Sequence, residues 1–301
     1  MLRRRWRVHR RRKWRLIIPF LFPQLLAYSV LTLYPNLRAF YDALTDWGGF
    51  TPTRTFVGLR NFERLVGDSN FWKALSHNAM FAASLPILVL TVSLLIATYL
   101  HRRKGMLTNV YRIVIFFPSV IGGVALFFLF TFVLSPNIGL LNGLLRAVGL
   151  DRLTHAWLAE PGFVLPTLIG LTSWSSAGFY IVLFMSGIAG IPAELEDAAR
   201  VDGAGEFAVF RHVTLPLLWD VVKVATVNLI NGAFQIFGMV FIMTQGGPNR
   251  ASEVYATYLY EQAFQFAKFG YATAMGVFMF FLTFIVILFS WRMMQREQVQ
   301  Y

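Results

Sequence analysis

The sequence predicts an all-α integral membrane protein with six transmembrane helices, both termini in the cytoplasm, and a short helical segment on the cytoplasmic side between spans four and five. Three observations carry this. Of 301 residues, 56% are hydrophobic and only 14% charged, whereas soluble domains run about 45–50% apolar and about 25% charged. The apolar residues fall in blocks of roughly 20, the length a helix needs to cross a hydrocarbon core. Lysine and arginine are unevenly divided between the connections.

The first element, residues 1–15, holds eight arginines and one lysine. It leads straight into the apolar stretch Leu16–Leu33, so it reads as a juxtamembrane cluster that stays in the cytoplasm and meets anionic lipid, not as a nucleic-acid arm. The stretch is too long for the core of a cleaved signal peptide and lacks a small-x-small site before Tyr34-Pro35. From 16 to 301 the chain reads as a single membrane domain, with spans at about 16–35, 78–100, 113–134, 163–187, 221–244 and 272–291. Each span must satisfy its own peptide groups in lipid, which favours helices; the runs do not alternate as β-barrel strands do. With the N-terminus inside, 18 of the 27 basic residues lie on cytoplasmic segments and nine outside, in agreement with the positive-inside rule. The absence of cysteine excludes disulfides, thiolate metal sites and cysteine nucleophiles, and the five scattered histidines form no i, i+4 pair.

The connection Gly187–Asp220 has an unusual pattern. Pro192 precedes Ala193–Val201, a run of good helix formers. Asp202-Gly203-Ala204-Gly205 interrupts it, and glycine accepts a sharp reversal. A second amphipathic run starts at Glu206, with Phe207, Phe210, Val213 and Leu217 on one face, and Pro216 bends or ends it. This predicts a helix–turn–helix beside the membrane. An interfacial helix in lipid headgroups would carry a basic polar face. This segment has six acids and two arginines, so it predicts a protein partner.

These residues resemble the cytoplasmic EAA loop of ATP-binding-cassette importer permeases, E-L-x-E-A-A-x-x-D-G-A followed by an apolar stretch and L-P. The chain reads Glu194-Leu195-Glu196-Asp197-Ala198-Ala199-Arg200-Val201-Asp202-Gly203-Ala204, closing at Leu215-Pro216, with Asp197 where the motif has Glu. Thr244-Gln245-Gly246-Gly247-Pro248 is similar to the T-x-G-G-P turn of the carbohydrate-type permeases. Tyr260, Ala263-Phe264 and Phe269-Gly270-Tyr271 are similar to their approach to the sixth span. Tyr34-Pro35 and Gly58-Leu59-Arg60-Asn61-Phe62 match as well.

The resemblance implies a non-catalytic permease subunit in a bacterial cytoplasmic membrane. Its expected partners are a second, homologous permease, two copies of an ATPase that bind ATP and Mg, and an extracytoplasmic solute-binding protein. It implies that 188–220 seats a coupling helix in the ATPase, with Glu194, Asp197, Ala198, Asp202, Gly203 and Ala204 at or beside the contact. The chain offers no P-loop of its own, since none of its five lysines follows a glycine.

Polar side chains within spans mark partners or a cavity. Thr172, Ser175, Ser176 and Phe179 share a helical face in span four, as do Asn228, Asn231 and Gln235 in span five. Hydroxyls and amides suit a sugar's hydroxyls, and Trp174 or Phe179 offers a flat face to a pyranose ring. The same side chains also serve as glue between transmembrane helices. Where sugar permeases of this type make solute contacts, this chain has Gly232, Ala233 and Ile236. The stripe Phe278, Phe280, Phe281 and Phe284 reads as lipid-facing or packing surface. An ion-coupled transporter would carry an ionisable residue in mid-membrane or a broken helix pair at an ion site, and the six spans show no central Asp, Glu, Lys or Arg. An intramembrane enzyme would need a nucleophile–base or metal constellation. An amino-acid or peptide permease lacks the T-x-G-G-P feature.

Overall fold

In the computed structural model the described residues are 18–50, 52–102 and 106–294. The basic segment 1–15, together with Arg103, Lys104 and Arg296, lies outside them. The chain runs through α1 (Ile18–Asp42), a two-stranded antiparallel pair β1 (Thr45–Asp46) and β2 (Thr55–Phe56), α2 (Arg60–Val66) and α3 (Ser69–Arg102). Next come α4 (Met106–Val120), α5 (Gly123–Val133), α6 (Leu140–Ala147) and α7 (Pro161–Ala189). They are followed by α8 (Ala193–Val201), α9 (Glu206–Leu217), α10 (Trp219–Phe234) and α11 (Gly238–Met243), then α12 (Tyr255–Tyr260) and α13 (Phe269–Met293).

Among the described residues four helices, α1, α3, α7 and α13, are long and apolar enough to cross a membrane. Two bent pairs, α4–α5 and α9–α10, raise the number to six if each is one span. Two spans expected to be continuous are broken, the first at one of these bends and the second between α10 and α11. The stretch 113–134 turns through 104° between α4 and α5. Gly122 leaves the helical basin there (φ −55°, ψ 130°), just after Pro118 has removed one helix hydrogen bond. The stretch 221–244 ends its first helix at Phe234 and restarts at Gly238. Phe237 sits outside the helical region at φ −139°, ψ −63°.

The carbonyl freed at the second break finds its partner far away in sequence. In a continuous helix the Ala233 carbonyl would accept from the amide of residue 237. Here it accepts from Asn78 Nδ2 at 2.9 Å, while Asn78 Oδ1 accepts the Tyr255 N–H at 2.8 Å. Asn78 is fully buried on α3. One side-chain amide thus satisfies backbone groups from two irregular points of the chain.

The chain divides into two compact units. One comprises residues up to Gly67 together with Leu259–Met279; the other comprises Asp68–Tyr258 and the residues from Phe280 onward. In the first, Ala43, Ala274 and Val277 pack with Phe62. Asn61 donates to the carbonyls of Ala43 (2.8 Å) and Thr45 (2.9 Å), closing the chain after α1. Gly270 N–H donates to Trp47 O, and a Cβ at Gly270 would lie 2.0 Å from the Thr45 carbonyl oxygen. Only glycine fits that crossing. Phe269 is ringed by Trp47, Phe50 and Phe264, and the Arg64 guanidinium lies 4.2 Å from the Tyr271 ring centroid. Apart from Asp42 at its end, α1 buries essentially nothing. An apolar helix exposed on all sides is suited to lipid or to another chain, not to water.

In the second unit α7 and α10 pack on α3, α4 packs on α7, and α11 packs on α5. Phe81, Leu85 and Val89 of α3 join Leu168 and Phe184 of α7 and Ala225 and Leu229 of α10 in one core. The α4–α7 crossing is close: a Cβ on Gly178 would lie 2.5 Å from Ser119 Oγ and 2.7 Å from the Ile115 carbonyl. Asp68 Oδ1 accepts the amides of Asn70 and Phe71 at the start of α3, and its other oxygen accepts the Tyr258 hydroxyl at 2.6 Å. The Thr244–Pro248 turn has Gly246 at φ +83° and a cis Gly247–Pro248 bond. It is held by Ser252, whose amide donates to Gly246 O and whose hydroxyl donates to Thr244 Oγ1. His77 Nδ1 donates to Glu253 O at 2.7 Å and Lys73 to Asn249 O at 3.2 Å, tying the segment after this turn to α3.

Two stability outcomes follow. Asn78→Leu leaves an interior carbonyl and an interior amide unpaired, at roughly 1–3 kcal/mol each; thermal unfolding of the detergent-solubilised protein should shift down by several degrees. Gly270→Ala forces the Thr45 backbone aside and should lower the same midpoint, whereas Gly122→Ala, which has open space around its Cβ position, should move it far less.

Candidate functional site

The connection between α7 and α10 folds as two short helices around a reversal. α8 occupies Ala193–Val201, the run of helix formers, with Pro192 as the residue before it. Gly203 follows at φ +87°, a left-handed conformation, and nothing lies within 4 Å of where its Cβ would be. Conformation, not space, therefore requires glycine there. Gly203 N–H donates to Arg200 O and Ala204 N–H to Ala199 O, closing the C-terminus of α8.

α9 differs from the amphipathic reading. Its middle, Phe210–Thr214, is π-helical, so side chains beyond it are rotated relative to a regular helix. The buried positions are Val209, Thr214 and, at the bend, Leu218, while Phe207 is 74% exposed. The helix also runs past Pro216 to Leu217, and the 71° bend into α10 falls at Leu218. Leu218 fills a notch left by Gly187 of α7, where a Cβ would lie 2.7 Å from it. Beyond the bend Trp219 Nε1 donates to Met294 O at 2.9 Å, and Lys223 pairs with Asp220 at 2.8 Å and lies over the Trp291 ring.

No residue of α8 is buried. Glu196, Ala199 and Ala204 are half-covered, whereas Glu194, Leu195, Asp197, Ala198, Val201, Asp202 and Gly203 are exposed. The acids are not equivalent. Arg200 reaches Asp197 (2.9 Å), Glu196 (3.0 Å) and, across the turn, Glu206 (3.4 Å). Desolvation opposes its charge, but the hydrogen bonds it donates to these three carboxylates outweigh it and lift the guanidinium above its ordinary value. Glu196 also accepts from Thr214 Oγ1 at 3.0 Å. The Glu196–Arg200 and Asp197–Arg200 pairs follow from i, i+4 and i, i+3 helix spacing, a signal present in the sequence. The roles of Thr214 and Glu206 required the turn to be folded.

The polar faces of α7 and α10 divide by environment. Thr172 Oγ1 donates to its own Leu168 carbonyl and contacts Met239 Sδ of α11. Ser175 Oγ donates to Thr172 O, and the Ser175 carbonyl accepts from Ser119 Oγ of α4. These two residues serve helix packing. Ser176 is half-covered; Trp174 and Phe179 are about half exposed, Trp174 against Phe130 of α5. On α10, Val222, Ala225, Leu229 and Ala233 face the core. Asn228 and Gln235 are exposed on the other side, and Asn231 Oδ1 accepts from Gln235 Nε2 at 3.0 Å. Gly232 lies exposed among them, Ala233 is buried and Ile236 half-covered.

Comparison with known proteins agrees with this architecture. Residues 90–296 match the family described as binding-protein-dependent transport system inner membrane component. A probable ABC transporter permease protein of Bacillus subtilis, YurN, is 36% identical over 269 residues, 89% of this chain and 92% of that protein. The diacetylchitobiose uptake system permease protein NgcF of Streptomyces coelicolor is 37% identical over 278 residues, covering 89% of this chain and 79% of that one. A solved bacterial ABC transporter involved in import of the acidic polysaccharide alginate has a chain that superposes with a TM-score of 0.84 at 22% identity, covering 98% of this chain and all of that one, a likeness of fold. With the family model spanning most of its length, and a helical membrane architecture to match, this chain belongs to the family of binding-protein-dependent transport system inner membrane components.

Proposed function

We propose that this chain is one of two pore-forming subunits of an ATP-driven, binding-protein-dependent importer for a sugar or sugar-like solute. The observation that carries the reading is α8. It is a nine-residue helix with no buried residue, it is closed by a glycine reversal, and it presents Glu194, Leu195, Asp197, Ala198, Val201 and Asp202 outward. Apolar and acidic groups left open on a cytoplasmic loop fit the cleft of a separate ATPase subunit. In this reading both termini face the cytoplasm. Two ATPase copies bind ATP and Mg, a second, homologous permease completes the pore, and an extracytoplasmic binding protein delivers the solute. ATPase closure carries α8 and rocks the spans between inward- and outward-open states.

The solute class rests on the exposed amide face of α10 and on the kinship with NgcF, whose name specifies diacetylchitobiose. Asn228, Asn231 and Gln235 both donate and accept hydrogen bonds, as sugar hydroxyls do. Thr172 belongs more to packing than to the pathway, given its bonds to Leu168 and Met239. Trp174, Ser176 and Phe179 remain pathway candidates on α7.

Affinity purification of the chain from its native membrane should recover one second permease and two ATPase copies. A chain that purifies alone and moves solute down an ion gradient without ATP overturns the proposal. In the reconstituted complex, Gly203→Pro and Asp197→Lys should cut solute transport at least tenfold while ATP hydrolysis continues; transport at the wild-type rate would remove the loop from the coupling path. Asn231→Leu or Gln235→Leu should raise the solute concentration for half-maximal transport several-fold with assembly intact, and an unchanged value would exclude that face from the pathway.

A further inference from the structure

We infer that Arg200 is a positioning residue that locks α8 to α9, so that the two helices move as one lever; the inference rests on the loop being the ATPase contact. α8 has no buried residue to fix its place, and Gly203 at φ +87° joins it to α9 through a segment rich in glycine. Burial anchors α9 instead, through Val209 and Thr214, which are 0% and 1% exposed. Force applied to α8 reaches α7 through the short link Gly190–Pro192, and it reaches α9 and α10 only through whatever joins α8 to α9.

Two polar contacts cross the turn. Arg200 Nε reaches Glu206 Oε1 at 3.4 Å, and Thr214 Oγ1 donates to Glu196 Oε1 at 3.0 Å. They are one unit, because Arg200 Nη2 also holds the other oxygen of Glu196 at 3.0 Å. Asp197, on Nη1 at 2.9 Å, fixes the remaining arm of the planar guanidinium. A guanidinium presents its donors in a rigid fork, which an ammonium cannot reproduce. Without Arg200, Glu196, Asp197 and Glu206 repel one another across the turn. Exposed ion pairs contribute little to global stability, so removal should loosen the loop without unfolding the protein.

The chain contains no cysteine, so spin labels can be placed at Ala193→Cys and His212→Cys, one exposed site on each helix. In the assembled complex the label-to-label distance distribution should be narrow. It should broaden at least twofold with Arg200→Met and fall between the two with Arg200→Lys. In the unlabelled complex Arg200→Met should lower solute transported per ATP by three- to tenfold, with thermal midpoint and ATPase content unchanged. An unchanged distance distribution, a coupling ratio within twofold of wild type, or loss of the ATPase from the complex each overturns the inference. If Gly203→Pro uncouples transport while Arg200→Met does not, the positioning role alone fails. If neither variant alters transport, the loop is not the coupling element at all.

Discussion

Wherever a membrane helix stops before it has crossed the bilayer, the backbone groups it releases must find partners inside the protein, because hydrocarbon supplies none. One buried asparagine answers to that constraint at the break in 221–244, and two others satisfy irregular backbone in the connections between spans in the same way. Asn78 joins the frayed end of α10 to the chain at Tyr255. Asn142, 2% exposed, donates to the carbonyls of Pro136 and His155 and accepts from Trp157 Nε1, holding together the connection between α5 and α7. Asn61 closes the end of α1 through two carbonyls. An amide carries both donor and acceptor on a short stem, so it can stand in for a missing peptide group where a hydroxyl or a charge would fit less well.

The same constraint explains why the broken span is where polar groups collect. α10 is too short, at 16 residues, to cross a typical hydrocarbon core of about 30 Å at 1.5 Å per residue. Its last turn therefore has to lie against protein or a cavity. One side of that turn is closed by the core residues Leu229 and Ala233 and by Asn78, while Asn231, Gly232 and Gln235 lie on the more open side. A broken helix accompanies an ion site in some secondary transporters. Here the polar side chains beside the break, Asn231 and Gln235, are neutral amides bonded to each other.

In the connection between α7 and α10 the logic is reversed. α8 lacks the burial that stabilises most helices, and its own ion pairs and its closed C-terminus hold it in shape. An element open on most of its surface can take up a partner without first giving up internal contacts. Its connection to α10 runs through α9, whose π-helical turn is followed by Leu218 in the notch of Gly187, with Thr214 and Leu218 both buried. The contact between Trp219 and Met294 braces the same bend from the C-terminal end of α13.

The membrane class, the approximate location of the helices and the helix–turn–helix at 193–217 were legible from residue type alone. Segment length, helix propensity and the glycine reversal are local properties, and they need no knowledge of neighbours. The bounds of α8 and the turn at Gly203 were readable for that reason, and so was the Arg200 pairing within α8. The break in the 113–134 span had local signals in Pro118 and Gly122-Gly123, which an unbroken apolar composition masks, whereas the break in the 221–244 span has no proline beside it. The backbone group released at the second is satisfied by Asn78, 155 residues away from its partner. The register of α9 was hidden too, since a π-helical turn leaves no periodic signal. Residue type also could not separate packing positions from open ones: Thr172 and Asn228 look alike as polar residues in apolar helices. Only packing shows that one is spent on Leu168 and Met239 while the other faces outward. Local chemistry determined what each segment could become; long-range hydrogen bonds and close helix crossings decided where each one ended and which face stayed open.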